Sequence, residues 1–247
     1  MKNILSPFSV LLTMVLIASC SSTERTTAEK SDNMVVKISE NPNQSIYVIK
    51  GSAYDHPTLV VWVEDMEGNY ISTIYITKSF ASGKYTYEMI GDSTWANREG
   101  PSYQPAALPY WTYKKGLING KELVPTPEHP FIDAYTGATP KNSFVLENRT
   151  TIDLSKYRML LEINQLGDWN NYWTNDSYPE SAAYKRSAQP SLIYSVDIDQ
   201  SSQEYYLNPM GHGDPRGVSG KLYTNISTIT TAKNILQEIK VSFKPSN

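Results

Sequence analysis

The sequence predicts an all-β protein built as an antiparallel β-sandwich, with a long proline-rich insertion and one short C-terminal helix. Strand-forming runs recur along the chain, turn residues separate them, and the composition suits sheets more than charge-rich helices. The 247 residues include 18 Tyr, and only 19% are charged. A net charge of −3 lacks the basic excess that nucleic-acid binding requires, so we expect no nucleic-acid partner.

The best-defined strands form a predicted hairpin. Thr58–Glu64 and Tyr70–Thr77 are rich in β-branched and aromatic residues, and the short segment between them contains Gly68. Other runs of the same character predict further strands at 46–49, 84–90, 144–147, 157–164, 192–198 and 204–207. Several short strands with little helix favour a sandwich that is immunoglobulin-like in general plan, although the Cys…Trp…Cys spacing of true immunoglobulin domains is missing.

Two segments depart from the strand pattern. Six prolines lie between residues 91 and 130, which predicts a long irregular insertion, and loops of this length are usually functional or structured by their own side chains. Apolar residues recur at helical spacing between 229 and 239, which predicts a short helix before or within a final strand ending near Phe243.

The N-terminus is typical of a lipoprotein signal peptide over residues 1–19. Lys2 supplies a positive charge, and the apolar run at 8–17 is shorter than the roughly 20 residues that a membrane span needs. Two small residues precede Cys20, the single cysteine of the chain, in a pattern that resembles a lipobox. An ordinary signal peptide with a coincidental cysteine is the alternative.

The predicted signal peptide and lipidation site divide the chain into three parts. Residues 1–19 are the signal peptide, 20–33 a lipidated polar tether, and 34–247 a single β-sandwich domain. We expect an extracytoplasmic protein held to the membrane only through its lipid. Ser21 after Cys20 resembles the usual outer-membrane sorting choice, so we expect the outer membrane, facing the periplasm, with exposure at the cell surface as the alternative.

Classical hydrolytic and metal chemistry find little support in the sequence. The chain has three histidines and no Gly-x-Ser-x-Gly elbow, and its one cysteine is assigned to the lipid. His129, Asp133, His212 and Asp214 are a conceivable metal set but show no recognised ligand spacing. A glycine-rich turn capped by Asp214 ahead of Pro215 is the favoured interpretation. We therefore expect no metal and no catalytic residues.

One loop has the composition of a ligand platform. Trp169, Asn170, Asn171, Tyr172 and Trp173 combine aromatic rings with amide groups, as sugar binding requires. The alternative is that the two tryptophans cover the end of the sandwich.

A second motif points to a cofactor. Residues 133–139 read Asp-Ala-Tyr-Thr-Gly-Ala-Thr and resemble the acceptor motif of extracytoplasmic flavoproteins, in which a flavin transferase esterifies the FMN phosphate onto the final threonine. The fixed positions of the motif are Asp133, Thr136, Gly137, Ala138 and Thr139. Gly137 and Ala138 leave the backbone open to a phosphate, and Asp133 could position the hydroxyl or bind the transferase's metal. The alternative is a tight turn capped by Asp133.

The chain as a whole resembles the periplasmic family called domain of unknown function 2271. The resemblance covers roughly residues 46–243 and depends on the segments at 56–74, 133–140 and 162–170. It implies a small β-sandwich associated with extracytoplasmic flavin redox systems, with a flavin transferase and a membrane redox protein as partners. Pro140 departs from the flavoprotein pattern and restricts Thr139 to extended conformations.

Two functional hypotheses follow from the sequence. The first is a lipid-anchored electron carrier that bears FMN covalently on Thr139 and has no substrate of its own. The second is a non-catalytic binding or accessory lipoprotein with a glycan or protein ligand.

Overall fold

A computed structural model describes residues 33–90 and 94–244 of the chain. The predicted signal peptide, Cys20 and all but the last residue of the predicted tether lie outside the described residues. Within the described part, none of the helices has both the length and the apolar character needed to cross a bilayer.

The described chain is mostly strand. The strands are β1 (Met34–Lys37), β2 (Gln44–Lys50), β3 (Thr58–Glu64), β4 (Tyr70–Thr77), β5 (Lys84–Tyr85), β6 (Glu88–Met89), β7 (Trp95–Ala96), β8 (Gly100–Pro101), β9 (Tyr135–Gly137), β10 (Phe144–Asn148), β11 (Tyr157–Asn164), β12 (Leu192–Ile198), β13 (Glu204–Tyr206), β14 (Asn208–His212) and β15 (Leu236–Phe243). The helices are α1 (Lys78–Ser82), α2 (Pro109–Lys115), α3 (Ala182–Ser187) and a 3₁₀-helix at Thr231–Asn234.

Two large sheets confirm the predicted all-β sandwich. Sheet I has the strand order β1-β10-β2-β15-β13, and sheet II has the order β14-β12-β11-β3-β4-β9. Neighbouring strands are antiparallel except at two edges, where β1 runs parallel to β10 and β9 runs parallel to β4. The two-residue strands pair separately, β5 with β8 and β6 with β7.

The main core lies between the two sheets. Ile46 and Val48 of sheet I share one buried cluster with Val61 and Leu161 of sheet II, and all four side chains are inaccessible to solvent. Burial of this apolar surface is the main source of the free energy that stabilises the fold.

Sheet II is covered on its outer face as well, by the proline-rich insertion. Strand β3 is buried along its whole length, because alternate residues face the two sides of a strand and both sides are covered here. Trp62 belongs to a second buried cluster with Phe80 of α1 and Trp111 of α2. The insertion predicted as irregular is therefore a packed layer that contains a helix.

The sequence-based strand bounds differ from the structure mainly outside the central strands. The predicted strands at 58–64, 70–77, 157–164 and 192–198 coincide with β3, β4, β11 and β12, and the 3₁₀-helix lies where the C-terminal helix was predicted. The strand predicted at 84–90 is divided into β5 and β6. Strand β5 pairs with β8 and strand β6 pairs with β7, and both partner strands lie within the insertion. Strands β1, β7, β8, β9 and β14 and the helices α1 to α3 were not predicted.

Candidate functional site

The motif predicted to accept a flavin, residues 133–139, lies at the exposed edge of sheet II. Strand β9 pairs with β4 on one side only, with Tyr75 opposite Tyr135 and Thr77 opposite Gly137. Residues 135–137 are extended, and Asp133 lies in the bend before them, where its exposed carboxylate accepts no hydrogen bond from the described residues. The motif is therefore presented along an open strand edge.

Thr139 follows this edge strand with its backbone fixed on both sides. The Tyr75 hydroxyl donates to the carbonyl oxygens of the two preceding residues, at 3.4 and 3.2 Å, and the Tyr54 hydroxyl donates to the Pro140 carbonyl at 2.7 Å. The Thr139 side chain is half-buried, and its hydroxyl makes no hydrogen bond within the described chain. The backbone on either side of the hydroxyl is therefore fixed, while the hydroxyl itself has no partner among the described residues.

Gly137 lies close beside Tyr75. A Cβ atom at this position would lie 3.2 Å from both Cε2 and the hydroxyl oxygen of Tyr75. Burial raises the pKa of Tyr75 above its usual range, so the phenol stays protonated and remains a hydrogen-bond donor. The glycine of the motif and the tyrosine of the neighbouring strand thus fit each other.

A cavity of about 220 Å³ opens beside the start of β9. Tyr135 lines it together with Thr73 and Arg149. The Tyr135 ring is 40% exposed and stacks on Tyr75 with centroids 6.2 Å apart. Thr139 does not line this cavity, which leaves Tyr135 as the motif residue with an aromatic face open to a ligand.

The tryptophan loop divides into buried and exposed residues. Trp173 is 6% exposed and belongs to the main core, whereas Trp169 is 37% exposed and packs edge-on against Tyr184 at 5.7 Å. Tyr172 is 61% exposed, and Asn171 is also exposed. One tryptophan therefore anchors the loop, while Tyr172 presents a ring to solvent.

Asn170 holds the loop together. Its side-chain oxygen accepts hydrogen bonds from the backbone N–H groups of Tyr172 and Trp173, at 2.8 and 2.7 Å. Its amide nitrogen lies within hydrogen-bond distance of Gln189 Oε1 and of the Thr228 carbonyl oxygen, at 3.0 and 2.9 Å. Since both ends of the amide are occupied, Asn170 positions the loop and is not free for a ligand.

Trp173 and Tyr172 also line a second, larger cavity of about 280 Å³, which we call the aromatic cavity. Its other principal wall residues are Tyr178, His212, Arg216 and Tyr223. The indole Nε1 of Trp173 is buried and has no hydrogen-bond acceptor among the described residues. This cavity combines aromatic faces with polar groups at one end of the sandwich.

His212 forms one wall of the aromatic cavity with Tyr223. The two residues exchange backbone hydrogen bonds of 2.8 and 2.9 Å, and their rings stack at 5.1 Å with an interplanar angle of 9°. The Nδ1 atom lies 2.8 Å from the Gly213 carbonyl, which can only accept, so Nδ1 carries the proton. Burial lowers the pKa of His212. The neutral ring therefore keeps Nε2 as an acceptor.

Asp214 and Arg216 form a turn at the floor of the cavity. The Asp214 carboxylate accepts hydrogen bonds from the Arg216 backbone N–H at 2.9 Å and from the Ser219 hydroxyl at 2.6 Å. The arrangement is the capped turn that the sequence favoured over a metal site. Across residues 33–90 and 94–244, no three His, Cys, Asp or Glu side chains are grouped suitably for a metal ion.

The sequence did not single out several wall residues of the aromatic cavity. Tyr178 lies in the same loop as Trp173, whereas Arg216 and Tyr223 come from the loop after β14, and the fold brings the two loops together. The Gly-His-Gly-Asp run at 211–214 was considered in the sequence only as a conceivable metal site. Its position near the tryptophan loop depends on the pairing of β12 with β14.

Comparison with protein-family models, curated proteins and solved structures found no match to this chain. The resemblance to domain of unknown function 2271 stays a prediction from the motifs quoted above. The functional assignment of the two candidate sites therefore depends on their own residues and geometry.

Proposed function

We propose that this protein is a lipid-anchored extracytoplasmic electron carrier with FMN attached covalently to Thr139. The observation that carries the proposal is the position of the Thr139 hydroxyl, which follows an open edge strand and has no hydrogen bond within the described residues. The surrounding residues match the acceptor pattern at Asp133, Thr136, Gly137 and Ala138.

The attachment reaction is a transfer of the FMN phosphoryl group from FAD by a flavin transferase. The Thr139 oxygen attacks the FMN phosphorus, the pyrophosphate P–O bond breaks, and AMP leaves. The hydroxyl proton passes to a base of the transferase. No electrons are exchanged in this step, and the product is a phosphodiester between Thr139 and FMN.

The chain's own residues meet the needs of this reaction. Tyr75 and Tyr54 fix the backbone around the acceptor, so little conformational entropy is lost when the transferase binds it. The exposed carboxylate of Asp133 would bind a metal of the transferase. Tyr135 offers the nearest partly exposed aromatic face of the motif. The attached FMN would supply electron transfer.

A covalent link and a lipid anchor suit the same working environment. Outside the cytoplasm a free cofactor diffuses away, whereas an esterified one stays with the protein. The lipid predicted at Cys20 keeps the carrier at the membrane, where a membrane redox protein is the expected electron partner.

Flavin attachment is tested by co-expressing the full chain with an active flavin transferase and measuring intact mass. We expect a gain of FMN minus one water, located by peptide mapping on the peptide that contains Thr139. Thr139→Ala should lose the added mass, and Thr139→Ser should keep it because the hydroxyl remains.

Thr224→Ala is the control, since it removes an exposed threonine hydroxyl outside the motif and outside the cavity beside β9. An unmodified wild-type chain, in a culture where the transferase labels a known acceptor, would refute the proposal.

A second candidate function is supported by the aromatic cavity. A non-catalytic accessory lipoprotein needs a concave site with aromatic and polar walls, and this cavity of about 280 Å³ has both. Binding at this cavity requires nothing of Thr139, so the two functions can be tested separately.

A further inference from the structure

One cation in the wall of the aromatic cavity, Arg216, and one beside it, Lys221, have no acidic side-chain partner among the described residues. The Arg216 guanidinium lies 5.5 Å from the centroid of the Tyr178 ring, and Lys221 Nζ lies 4.8 Å from that of Tyr223. Both side chains are exposed, and neither takes part in an ion pair with the described residues. The cations are held on aromatic rings that line the cavity.

The one acidic group in the cavity wall does not cancel this charge. The Asp214 carboxylate is 2% exposed and accepts two hydrogen bonds from its own turn. Among the residues that line the cavity, the charge exposed to solvent is therefore that of Arg216. A positively charged concave surface attracts an anionic ligand.

The walls favour a ring-shaped ligand with several hydroxyl groups. Tyr172 presents an exposed ring, the Tyr223 and His212 rings stack in parallel, and Asn225 adds an amide. At about 280 Å³ the cavity lies just below the 300–1,000 Å³ range of drug-sized sites, so it suits one ring system.

We propose that the aromatic cavity binds a carboxylated pyranose, a hexuronic acid unit within an acidic polysaccharide. The aromatic rings would pack against the sugar face, the neutral His212 and the Asn225 amide would bond hydroxyl groups, and Arg216 would pair with the carboxylate. This inference names the ligand class for the second candidate function and is independent of FMN attachment at Thr139.

The test compares two trisaccharides that differ only in charge. Calorimetric titrations of the full chain use α-1,4-linked trigalacturonate and the neutral galactose trimer of the same linkage, at low ionic strength. We expect the acidic trisaccharide to bind about tenfold tighter, as a charge-assisted hydrogen bond provides. The difference should shrink in high salt.

Three variants separate the contributions to binding. Arg216→Gln should remove most of the tenfold preference, while Tyr172→Ala should weaken both sugars because it removes a stacking face. Both residues are exposed, so neither change threatens the fold. Lys121→Gln removes an exposed cation that does not line the cavity and should bind like wild type.

Each other outcome overturns the inference in a distinguishable way. Equal affinity for the two trisaccharides, or a preference that survives Arg216→Gln combined with Lys221→Gln, would refute the carboxylate assignment and leave a sugar site. No binding of either trisaccharide at millimolar concentration would refute the sugar site itself. The mass test on Thr139 is unaffected by these results.

Discussion

The Glu162 carboxylate is buried at the start of α2, where it takes the place of a helix cap. It accepts hydrogen bonds from the backbone N–H groups of Tyr110 and Trp111, at 3.2 and 2.7 Å, and from the Ser191 hydroxyl at 2.5 Å. Burial raises the pKa of Glu162 to about 7 from its ordinary 4.5, although the three hydrogen bonds oppose the shift.

This shift predicts that the protein loses stability as pH rises towards neutrality. Between 4.5 and about 7 the unfolded chain releases a proton that folded Glu162 retains, so the free energy of unfolding falls across this range. At 1.36 kcal/mol for each pKa unit, the loss is on the order of 3 kcal/mol. Glu162→Gln cannot titrate and should lose most of this pH dependence.

Urea denaturation at a series of pH values from 4.5 to 8 measures the effect, and the variants are compared by slope. Glu67→Gln, at an exposed position, should follow the wild-type slope. The same slope in Glu162→Gln as in wild type would show that another group causes the pH dependence.

Lys114 is one link between helix α2 and the β3–β4 hairpin. Its Nζ donates to the Gly68 carbonyl at 2.7 Å and lies 3.5 Å from Oε2 of the buried Glu64, whose Oε1 accepts from Trp62 Nε1 at 3.0 Å. A cation from one element thus compensates a buried carboxylate of another.

Replacing this lysine should therefore leave a buried, uncompensated carboxylate in sheet II and destabilise the fold. Lys114→Met keeps most of the apolar stem but leaves Glu64 without its cation, and we expect a loss of about 2 kcal/mol in the free energy of unfolding. This is below the 3–5 kcal/mol typical of fully buried pairs, because Lys114 is 29% exposed. Adding Glu64→Gln should recover part of the loss.

Chemical denaturation of the two single variants and the double variant gives the coupling free energy between them. Lys78→Met, at an exposed helical position, serves as control. Strictly additive effects would show that the ion pair does not couple α2 to the hairpin.

The same elements show how far the sequence predicts the fold. Strands β3, β4, β11 and β12 were predicted with their observed bounds, because dense β-branched and aromatic runs form strands in almost any sheet. Strand β9 was missed, since the Tyr-Thr-Gly sequence becomes extended only beside β4. Helix α2 depends on Glu162, which lies about 50 residues away in sequence.

The candidate sites were also predictable to different degrees, because one is formed by a local sequence motif and the other by contacts between residues distant in sequence. The acceptor motif is local, so all its residues could be named from the sequence. The aromatic cavity is assembled from two loops distant in sequence. Of its wall residues, Tyr172 and Trp173 had been named for ligand binding, and His212 and Asp214 only as conceivable metal ligands. The occupied amide of Asn170 likewise depends on Gln189 and Thr228, which local sequence cannot place.

Across the whole molecule, protection of backbone amides from hydrogen exchange should be highest in the middle of sheet II. Strands β3 and β11 have a hydrogen-bonded neighbour on each side and are covered on both faces of the sheet. Strands β1 and β9 each have one neighbour. Amides with fewer contacts around them open at lower free-energy cost.

Hydrogen exchange followed by mass spectrometry tests this order. Peptides from β3 and β11 should exchange last, and peptides from β1 and β9 should exchange first. Equal exchange in β9 and β3 would show that the motif edge is as firmly packed as the core, which would argue against its role as an open acceptor strand.

The pairing of β1 with β10 has a consequence for the kinetics of folding. Met34 is paired with Phe144, so about 110 residues separate these partners along the chain. Strand β1 has no other neighbour in the sheet, so its pairing depends on this long-range contact. Closing so long a loop costs entropy before any contact offsets it. Since β10 lies so far along the chain from β1, we expect sheet I to complete this edge last.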